Sequence, residues 1–509
     1  MCYKGRTPVG ESSCMCMPLQ PAEPWPMLYA LEEGPVCPQT DVLYGPLQKL
    51  TNQSEACIFA NIHVPLQPRR FAPNGHPILV FIHGGGFAFG SGNADLHGPE
   101  YLVAEGVIVI TFNYRLNVFG FLSLGTDEVP GNQGLRDAVT LLQWVQRNAQ
   151  GFGGDASRVT LAGQSAGAAA AHILALSPAA NTLFHRVIIM SGTALPSFYT
   201  TSPAYARFVA SQLLTSLGIN TTDPVEAHRQ LVATPLEALM TVNTVLQDAF
   251  GIVVFLPVIE THDGYSNLKI IDMDTELALK NGRDSHLPFI VGFTSAEGET
   301  FRPRFKKVDV LDKIKDNPLL LLWTQWAFTL PMNESIARAT TVSNHYFGGG
   351  AIYMDAYVRA ATDTYYVYPA LRTARYRLQG AGAPLFLYEF AYSPEQSAIA
   401  QALEIQYRGA AHIEDLTFVF RTNSLRLPPS PRDDAVRLLM VHLWTFVIPG
   451  ASPMRCRPQS EYKYEYTYIE SSTGLVAVVL VQGTRITKVK QRLQCPGYGC
   501  MTVWYFKAS

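Results

Sequence analysis

The chain has 509 residues, of which 48% are hydrophobic and 16% are charged, and its formal net charge is −2. This near-neutral balance, without long lysine or arginine runs, excludes nucleic acids and acidic membrane surfaces as expected partners. No apolar stretch reaches the ~18–20 residues of a membrane span. The eight cysteines lack zinc-ligand spacing with histidines, so the sequence predicts neither a metal site nor another cofactor.

The first 45 residues are rich in proline, cysteine and methionine and predict irregular structure. Met1–Arg6 shows no apolar core of a signal peptide. By contrast, N-x-S/T sequons at Asn52, Asn220 and Asn333 hint at secretion, although such triplets are common by chance.

Short apolar runs then alternate with helical ones along the chain. Strands are predicted over Ala56–Val64, Pro77–Ile82, Val107–Phe112, Arg158–Ala162, Val187–Met190, Pro288–Thr294 and Pro384–Phe390. Helices are predicted over Leu135–Arg147, Ala168–Leu176 and Asp434–Val447. Successive βαβ units imply a large, mostly parallel sheet with helices on both faces. We therefore expect one α/β domain over residues 1–509, with helical insertions.

The most informative stretch is Gly163-Gln164-Ser165-Ala166-Gly167, which lies between a predicted strand and a small-residue helix. A serine on such a sharp turn, with glycine on both sides, is typical of a nucleophile elbow. The pattern alone is weak evidence, because it arises by chance in roughly one chain in six of this length.

A glycine-rich loop follows the strand Pro77–Ile82, with the sequence His83-Gly84-Gly85-Gly86-Phe87. Acyl transfer needs preorganised N–H donors for the oxyanion, each worth roughly 10²–10³ in rate. The amide of Ala166 is one expected donor, and the glycine loop is the expected source of the others.

A serine nucleophile also needs a base and an acid, which follow it in this order: serine, acid, histidine. Glu297 and Glu299 both lie in the loop after the strand Pro288–Thr294, and the residues alone favour Glu297 only narrowly. Among the later histidines, His412 follows a strand in a small-residue loop. His442 falls inside a periodic helix, and His345 has no strand before it.

Taken in order, these motifs resemble those of the type-B carboxylesterase family, the cholinesterase-like α/β-hydrolases. The resemblance runs from about residue 5 to about residue 450. The stretches that carry it are Phe81–Phe87, Asn113-Tyr114-Arg115, Gly131–Asp137, Phe152–Asp155, Gly163–Gly167, Glu297-Gly298 and Gly409–His412. It implies a triad of Ser165, Glu297 and His412, an oxyanion hole formed by Gly85, Gly86 and Ala166, and a disulfide between Cys37 and Cys57.

Details of these motifs bear on the substrate. The Cys37–Cys57 loop lacks the tryptophan with which cholinesterases bind choline, and Gln164 removes the negative charge of a glutamate. Gly-Gln-Ser-Ala-Gly resembles the form found in insect juvenile hormone esterases and other insect carboxyl and antennal esterases. With Phe87 and Phe89 beside the glycine loop, we expect a small apolar, uncharged ester as the substrate.

Two other interpretations remain open. The first is a non-catalytic adhesion or binding protein, similar to the neuroligin-like relatives on the same fold. The second is a truncated product that does not fold stably, because the N-terminus looks short and residues 457–509 look divergent. The implied disulfide indicates an oxidising, extracellular compartment, in conflict with the missing signal peptide.

Overall fold

The computed structural model describes residues 30–66, 75–195, 199–261, 269–322, 326, 329–379, 382–425, 427–428 and 430–448. It also describes the backbone of 467–471, 474–483, 487–494 and 500–508. The predictions for the first 29 residues therefore lie outside the described residues. Within the described residues, none of the helices has the length and apolar character that a membrane crossing requires.

One sheet organises the chain. Its strands are β1 (Ala60–His63), β2 (His76–Ile82), β3 (Ile108–Phe112), β4 (Gly154–Gln164), β5 (Arg186–Met190), β6 (Phe289–Thr294), β7 (Leu385–Phe390), β8 (Thr467–Ser471), β9 (Gly474–Gly483), β10 (Thr487–Gln494) and β11 (Cys500–Ala508). Their order is β1-β3-β2-β4-β5-β6-β7-β9-β11-β10, with β8 beside β9. The strands from β3 to β7 in this order pair in parallel, whereas β1 and β9 join antiparallel. The mostly parallel sheet is confirmed.

Helices cover the sheet. They are α1 (Glu100–Ala104), α2 (Asn117–Phe121), α3 (Gln133–Asn148), α4 (Ala166–Leu176), α5 (Pro203–Ser216), α6 (Pro224–Ala233), α7 (Leu236–Phe250), α8 (Thr275–Lys280), α9 (Arg302–Lys307), α10 (Val310–Asp316), α11 (Met332–Phe347), α12 (Met354–Thr362), α13 (Tyr368–Arg377), α14 (Ala398–Leu403) and α15 (Pro431–Val447). A 3₁₀ turn, Glu297–Phe301, follows β6, and a π turn, Asp363–Val367, separates α12 from α13.

The central strand β2 shows why the sheet is buried on both faces. All seven of its residues are buried, and successive side chains point to opposite faces. Ile78, Val80 and Ile82 join the apolar cluster on one face, which includes α3 and α4. Leu79 and Phe81 join the cluster on the other face, which includes Trp444 of α15. A continuous apolar run is what such a strand requires.

The seven predicted strands each match a strand from β1 to β7, and the three predicted helices match α3, α4 and α15. The strand β4 begins earlier than expected, at Gly154 rather than Arg158, so it includes the second half of the stretch Phe152–Asp155. The early part of β4 is held by Asp155, whose carboxylate accepts hydrogen bonds from Ser157 and Arg158.

The disulfide between Cys37 and Cys57 forms, as the resemblance implied. The parallel strands β2, β4, β6 and β7 all direct their carboxyl ends to one edge of the sheet. The glycine loop, the elbow, the Glu297 turn and the loop to His412 follow these four strands. Topology alone therefore gathers the candidate site at one edge, as expected for an open α/β sheet.

Candidate active site

Ser165 occupies a strained turn between β4 and α4. Its backbone has φ 59° and ψ −127°, a conformation that non-glycine residues rarely adopt. The flanking glycines have no room for a side chain. A Cβ on Gly163 would lie 2.2 Å from the Gly167 carbonyl oxygen, and one on Gly167 would lie 2.1 Å from that of Ile82. The Gly-x-Ser-x-Gly spacing is thus required by the close approach of strand and helix.

The glycine loop packs directly against this elbow. A Cβ added to Gly84 would lie 2.8 Å from the Gln164 backbone carbonyl oxygen and 3.0 Å from the Cβ of Ser165, so only glycine permits this approach. Gly85 and Gly86 have φ of 109° and 65°. The loop turns back on itself, because the carbonyl of Gly85 accepts a hydrogen bond from the N–H of Phe89 at 3.1 Å. Its backbone is therefore fixed beside the serine.

Glu297 is buried and held at both carboxylate oxygens. Its Oε1 accepts a hydrogen bond from the backbone N–H of Thr294 at 2.7 Å, and its Oε2 lies 2.5 Å from Nδ1 of His412. The alternative acid, Glu299, instead pairs with Arg302 through two hydrogen bonds of 2.7 and 2.9 Å. The structure brings Glu297, and not Glu299, to the histidine.

The loops that carry the acid and the histidine are joined by backbone hydrogen bonds. The N–H of Ala296 donates to the carbonyl of Ala410 at 2.8 Å, and the N–H of Ala410 donates to the hydroxyl of Ser295 at 3.1 Å. Thr300 adds a hydrogen bond to the His412 carbonyl at 2.9 Å. These contacts fix the distance between Glu297 and His412 independently of their own side chains.

The other candidate histidines lie outside the site. His345 is exposed on α11 and His442 is exposed on α15. His83, which precedes the glycine loop, is buried against the ring of Tyr114 at a centroid distance of 4.4 Å. Burial lowers the pKa of His83 to about 4, so it is neutral at physiological pH.

Gln164 has a role that the sequence did not reveal. Its side-chain Nε2 lies 3.1 Å from Nε2 of His412. The carboxylate of Glu297 accepts at Nδ1, so the imidazole carries its proton there and Nε2 is an acceptor, toward which the Gln164 amide N–H can donate. This is the tautomer whose Nε2 lone pair can remove a proton from a hydroxyl when the hydroxyl replaces Gln164 as its partner.

Tyrosines also line the site and were missed by sequence reasoning. The hydroxyl of Ser165 lies 2.9 Å from that of Tyr199, within hydrogen-bond distance. Tyr199 is in turn hydrogen-bonded to Tyr366, whose ring lies 4.7 Å from the His412 ring. Neither tyrosine belongs to a sequence motif, so no local signal points to them.

A cavity opens over these groups. It is lined by Leu43, Tyr44, Gly85, Gly86, Phe89, Ser165, Ile252, Val253, Phe301 and His412. Leu43 and Tyr44 belong to the disulfide loop, so this loop, which lacks tryptophan, nevertheless contributes an aromatic ring to the site. Tyr44 packs edge-on against Phe89 at a centroid distance of 4.9 Å. The cavity is therefore predominantly apolar.

Two buried carboxyl groups follow His412 in the chain. Burial raises the pKa of Glu414 and that of Asp415 to about 7. Ser397 donates a hydrogen bond of 3.1 Å to Glu414, and Tyr388 donates one of 2.7 Å to Asp415. Neither carboxyl lines the cavity, so their hydrogen bonds stabilise the loop that carries His412 rather than contact a substrate.

The chain is similar to known proteins along most of its length. The sequence model of the carboxylesterase family matches residues 9–480. The juvenile hormone esterase of Heliothis virescens is 50% identical over 457 residues, which cover 88% of this chain and 80% of that protein. The crystal structure of juvenile hormone esterase from Manduca sexta, with OTFP covalently attached, is 47% identical with a TM-score of 0.83, covering 87% of this chain and 84% of that one. A PNB esterase structure is 25% identical with a TM-score of 0.67, covering 87% and 86%.

Proposed function

This chain belongs to the carboxylesterase family and is a carboxylic ester hydrolase, and we propose that it cleaves apolar, uncharged esters through an acyl-enzyme formed on Ser165. The observation that carries the proposal is the convergence of Ser165, His412 and the glycine loop on one cavity, with Glu297 bonded to the far side of the imidazole.

In this mechanism Ser165 is the nucleophile and His412 is the general base. The Nε2 lone pair of His412 takes the hydroxyl proton as Ser165 attacks the ester carbonyl. Glu297 fixes the tautomer and stabilises the imidazolium that forms. The imidazolium then protonates the departing alcohol, and water hydrolyses the acyl-enzyme by the same route. Among the described residues the Ser165 hydroxyl contacts Tyr199 and the His412 Nε2 contacts Gln164, so the hydrogen bond between nucleophile and base forms when substrate is bound.

The amides of Gly85, Gly86 and Ala166 are the proposed donors for the oxyanion. Gly85 and Gly86 line the cavity with Ser165, and Ala166 is the first residue of α4, where N–H groups have no helical partner. The positive end of the helix dipole adds to the stabilisation of a negative oxygen there. A fixed backbone supplies these donors without reorganisation during the reaction.

The cavity wall supports an apolar ester. Within the described residues, no aspartate or glutamate belongs to the lining, so no carboxylate there would attract a quaternary ammonium group. The uncharged Gln164 agrees with this. Because the proteins from Heliothis virescens and Manduca sexta are juvenile hormone esterases, juvenile hormone is the first ester that we propose as a substrate.

A substrate panel tests this proposal. It comprises p-nitrophenyl esters of increasing acyl length, juvenile hormone and a choline ester, each assayed for kcat/KM. We expect the uncharged apolar esters to be hydrolysed with at least tenfold higher kcat/KM than the choline ester. Preference for the choline ester would contradict the apolar assignment.

Fluorophosphonate labelling separates this enzyme from a non-catalytic binding protein on the same fold. The Manduca sexta structure carries a covalently attached compound, which supports a covalent step here. Stoichiometric labelling of Ser165 in a protein that melts cooperatively is expected. A folded protein that is not labelled and hydrolyses no ester would instead favour the adhesion alternative.

We also propose an extracellular location. Cys37 and Cys57 form a disulfide. Disulfides persist in oxidising compartments and are rare in cytosolic proteins. The sequon residues Asn52, Asn220 and Asn333 are all exposed, so each is accessible to glycosylation. Mass analysis of protein secreted by insect cells, before and after glycosidase treatment, tests both points.

A further inference from the structure

The strongest unexplained contact in the site is the one between Tyr199 and the nucleophile. The two hydroxyl oxygens lie 2.9 Å apart, and Tyr199 is only 1% exposed. Its segment is anchored by a backbone hydrogen bond from Thr201 to Pro257 at 2.9 Å, and its ring packs edge-on against Phe87. A buried phenol held this firmly has a fixed hydroxyl position.

The number of donors and acceptors indicates which hydroxyl donates in this contact. Each hydroxyl has one proton to donate, and the proton of Ser165 must go to Nε2 of His412 during attack. The Ser165 oxygen must therefore accept from Tyr199. Tyr199 can still accept from Tyr366, with which it is also hydrogen-bonded. Tyr366 then donates to Tyr199, and Tyr199 donates to Ser165. This leaves the Ser165 proton for Nε2 of His412 once Nε2 releases its contact with Gln164.

We propose that Tyr199 is a further catalytic residue of the ester hydrolysis, whose hydroxyl donates a hydrogen bond to the Ser165 oxygen and stabilises it as the leaving oxygen in deacylation. The assignment rests on the proposed function, in which Ser165 carries the acyl group. Tyr199 belongs to neither the proposed triad nor the proposed oxyanion hole, and its hydroxyl lies 2.9 Å from the serine oxygen.

Deacylation is where this hydrogen bond gains most. His412 takes a proton from water, and the water oxygen forms a bond to the acyl carbon. The bond from that carbon to the Ser165 oxygen then breaks, its electron pair passes to the oxygen, and His412 returns the proton there. Negative charge grows on the serine oxygen as the bond breaks, and hydrogen bonds to charged oxygens are stronger than those to neutral ones.

Tyr199 keeps its own proton through this cycle. Burial raises its pKa above the ordinary value of 10.0, so the phenol acts as a donor of a hydrogen bond and not as an acid. Removal of the Tyr199 hydroxyl should therefore slow the reaction without adding or removing an ionisation in the pH profile of kcat.

The test is stopped-flow hydrolysis of p-nitrophenyl acetate by Tyr199→Phe, which keeps the ring and removes only the hydroxyl. Loss of a hydrogen bond to a developing charge should lower kcat about tenfold or more. The burst of p-nitrophenol should remain close to one equivalent. We expect kcat/KM, which reports acylation with this ester, to fall less than kcat. An unchanged kcat, or equal falls in kcat and kcat/KM, would overturn the assignment.

Matched variants make the result interpretable. Tyr392→Phe removes another buried tyrosine hydroxyl, which bonds to Asp433 at 2.8 Å outside the cavity, and should leave kcat within twofold. Tyr366→Phe removes the partner of Tyr199 and should lower kcat by about two- to threefold. Fluorophosphonate titration of each variant establishes that the folded, active fraction is unchanged.

Ser165→Ala separates the two levels of the proposal. If Ser165→Ala abolishes the burst and Tyr199→Phe leaves kcat unchanged, only the assignment of Tyr199 is wrong. If Ser165→Ala retains the burst, the proposed function itself is wrong, and the assignment of Tyr199 is overturned with it.

Discussion

Oε2 of Glu297 lies 2.5 Å from Nδ1 of His412, and both side chains are almost fully buried. Glu299, two residues later, faces away from the histidine and pairs with Arg302. The 3₁₀ turn over Glu297–Phe301 therefore separates two carboxylates that the sequence places side by side.

This separation predicts different outcomes for two otherwise matched substitutions. Glu297→Gln should lower kcat by about 10³–10⁴, because an amide that donates to Nδ1 favours the wrong imidazole tautomer. Glu299→Gln removes only a partly exposed ion pair and should change kcat less than threefold. Steady-state hydrolysis of p-nitrophenyl acetate by both variants measures the effect. A larger loss in Glu299→Gln would move the acid to that position.

Replacement of the nucleophile should have the largest effect on turnover. Ser165→Ala is expected to lower kcat by roughly 10⁴–10⁶, as in other triads, and to abolish fluorophosphonate labelling. Ser177→Ala is the matched control, because Ser177 is also buried but lies at the far end of α4. Hydrolysis retained by Ser165→Ala, measured on protein purified free of host esterases, would contradict the assignment.

The disulfide loop links stability to the site. Cys37 and Cys57 are 20 residues apart, and a crosslink of that span contributes about 3 kcal/mol by restricting the unfolded chain. The double variant Cys37→Ala/Cys57→Ala should lose about this free energy of unfolding in urea and raise KM, because Leu43 and Tyr44 in the loop line the cavity. Dithiothreitol should shift the unfolding midpoint of the unmodified protein and leave that of the double variant in place.

Glu414 predicts how stability changes with pH. Its pKa is raised from 4.5 to about 7, so the folded protein binds this proton more tightly than the unfolded chain does. The corresponding stabilisation is complete below about pH 4.5 and is lost as the pH rises to about 7. Glu414→Gln mimics the protonated form, so its free energy of unfolding should fall less between pH 5 and pH 8. Glu237→Gln, at an exposed position of α7, should leave the pH dependence unchanged. Urea unfolding at several pH values provides the measurement. If the free energies of unfolding of Glu414→Gln and of the unmodified protein change with pH in parallel, the prediction is wrong.

The strands β1 to β7 and the elbow could be predicted because each depends on residues close together in the chain, whereas β8 to β11 were not predicted. Seven apolar runs became strands, and glycines around Ser165 specify the turn through steric limits that any strand-to-helix turn must obey. The role of His412 could also be predicted, because the topology places the loops that follow parallel strands at one edge of the sheet. The choice between Glu297 and Glu299 was not settled by the residues alone, since it depends on which side of a 3₁₀ turn faces the histidine.

Contacts between distant segments could not be predicted. Tyr199 lies 34 residues after Ser165, in a segment that follows β5. Its contact with the Ser165 hydroxyl depends on the tertiary fold and not on a local motif. Gln164 meets His412 across 248 residues. Neither contact leaves a periodic or compositional trace, because one hydrogen bond between two loops constrains only the residues that make it.

The Gln164 contact yields the last prediction. Gln164→Glu would place a carboxylate about 3 Å from Nε2 of His412, at a fully buried position. A neighbouring negative charge stabilises the imidazolium, which cannot act as the base. We therefore expect the midpoint of the acid limb of kcat/KM to move up by about 1–3 pH units.

Gln164→Met provides the control, because methionine is uncharged and similar in length but cannot donate a hydrogen bond. It should lower kcat/KM through poorer orientation of the imidazole, with the acid limb unmoved. The same Gln164→Glu variant should hydrolyse a choline ester better, relative to p-nitrophenyl acetate, than the unmodified protein does. If the acid limb moves equally in Gln164→Glu and Gln164→Met, charge at this position is not what sets it, and uncharged Gln164 no longer argues for an uncharged substrate.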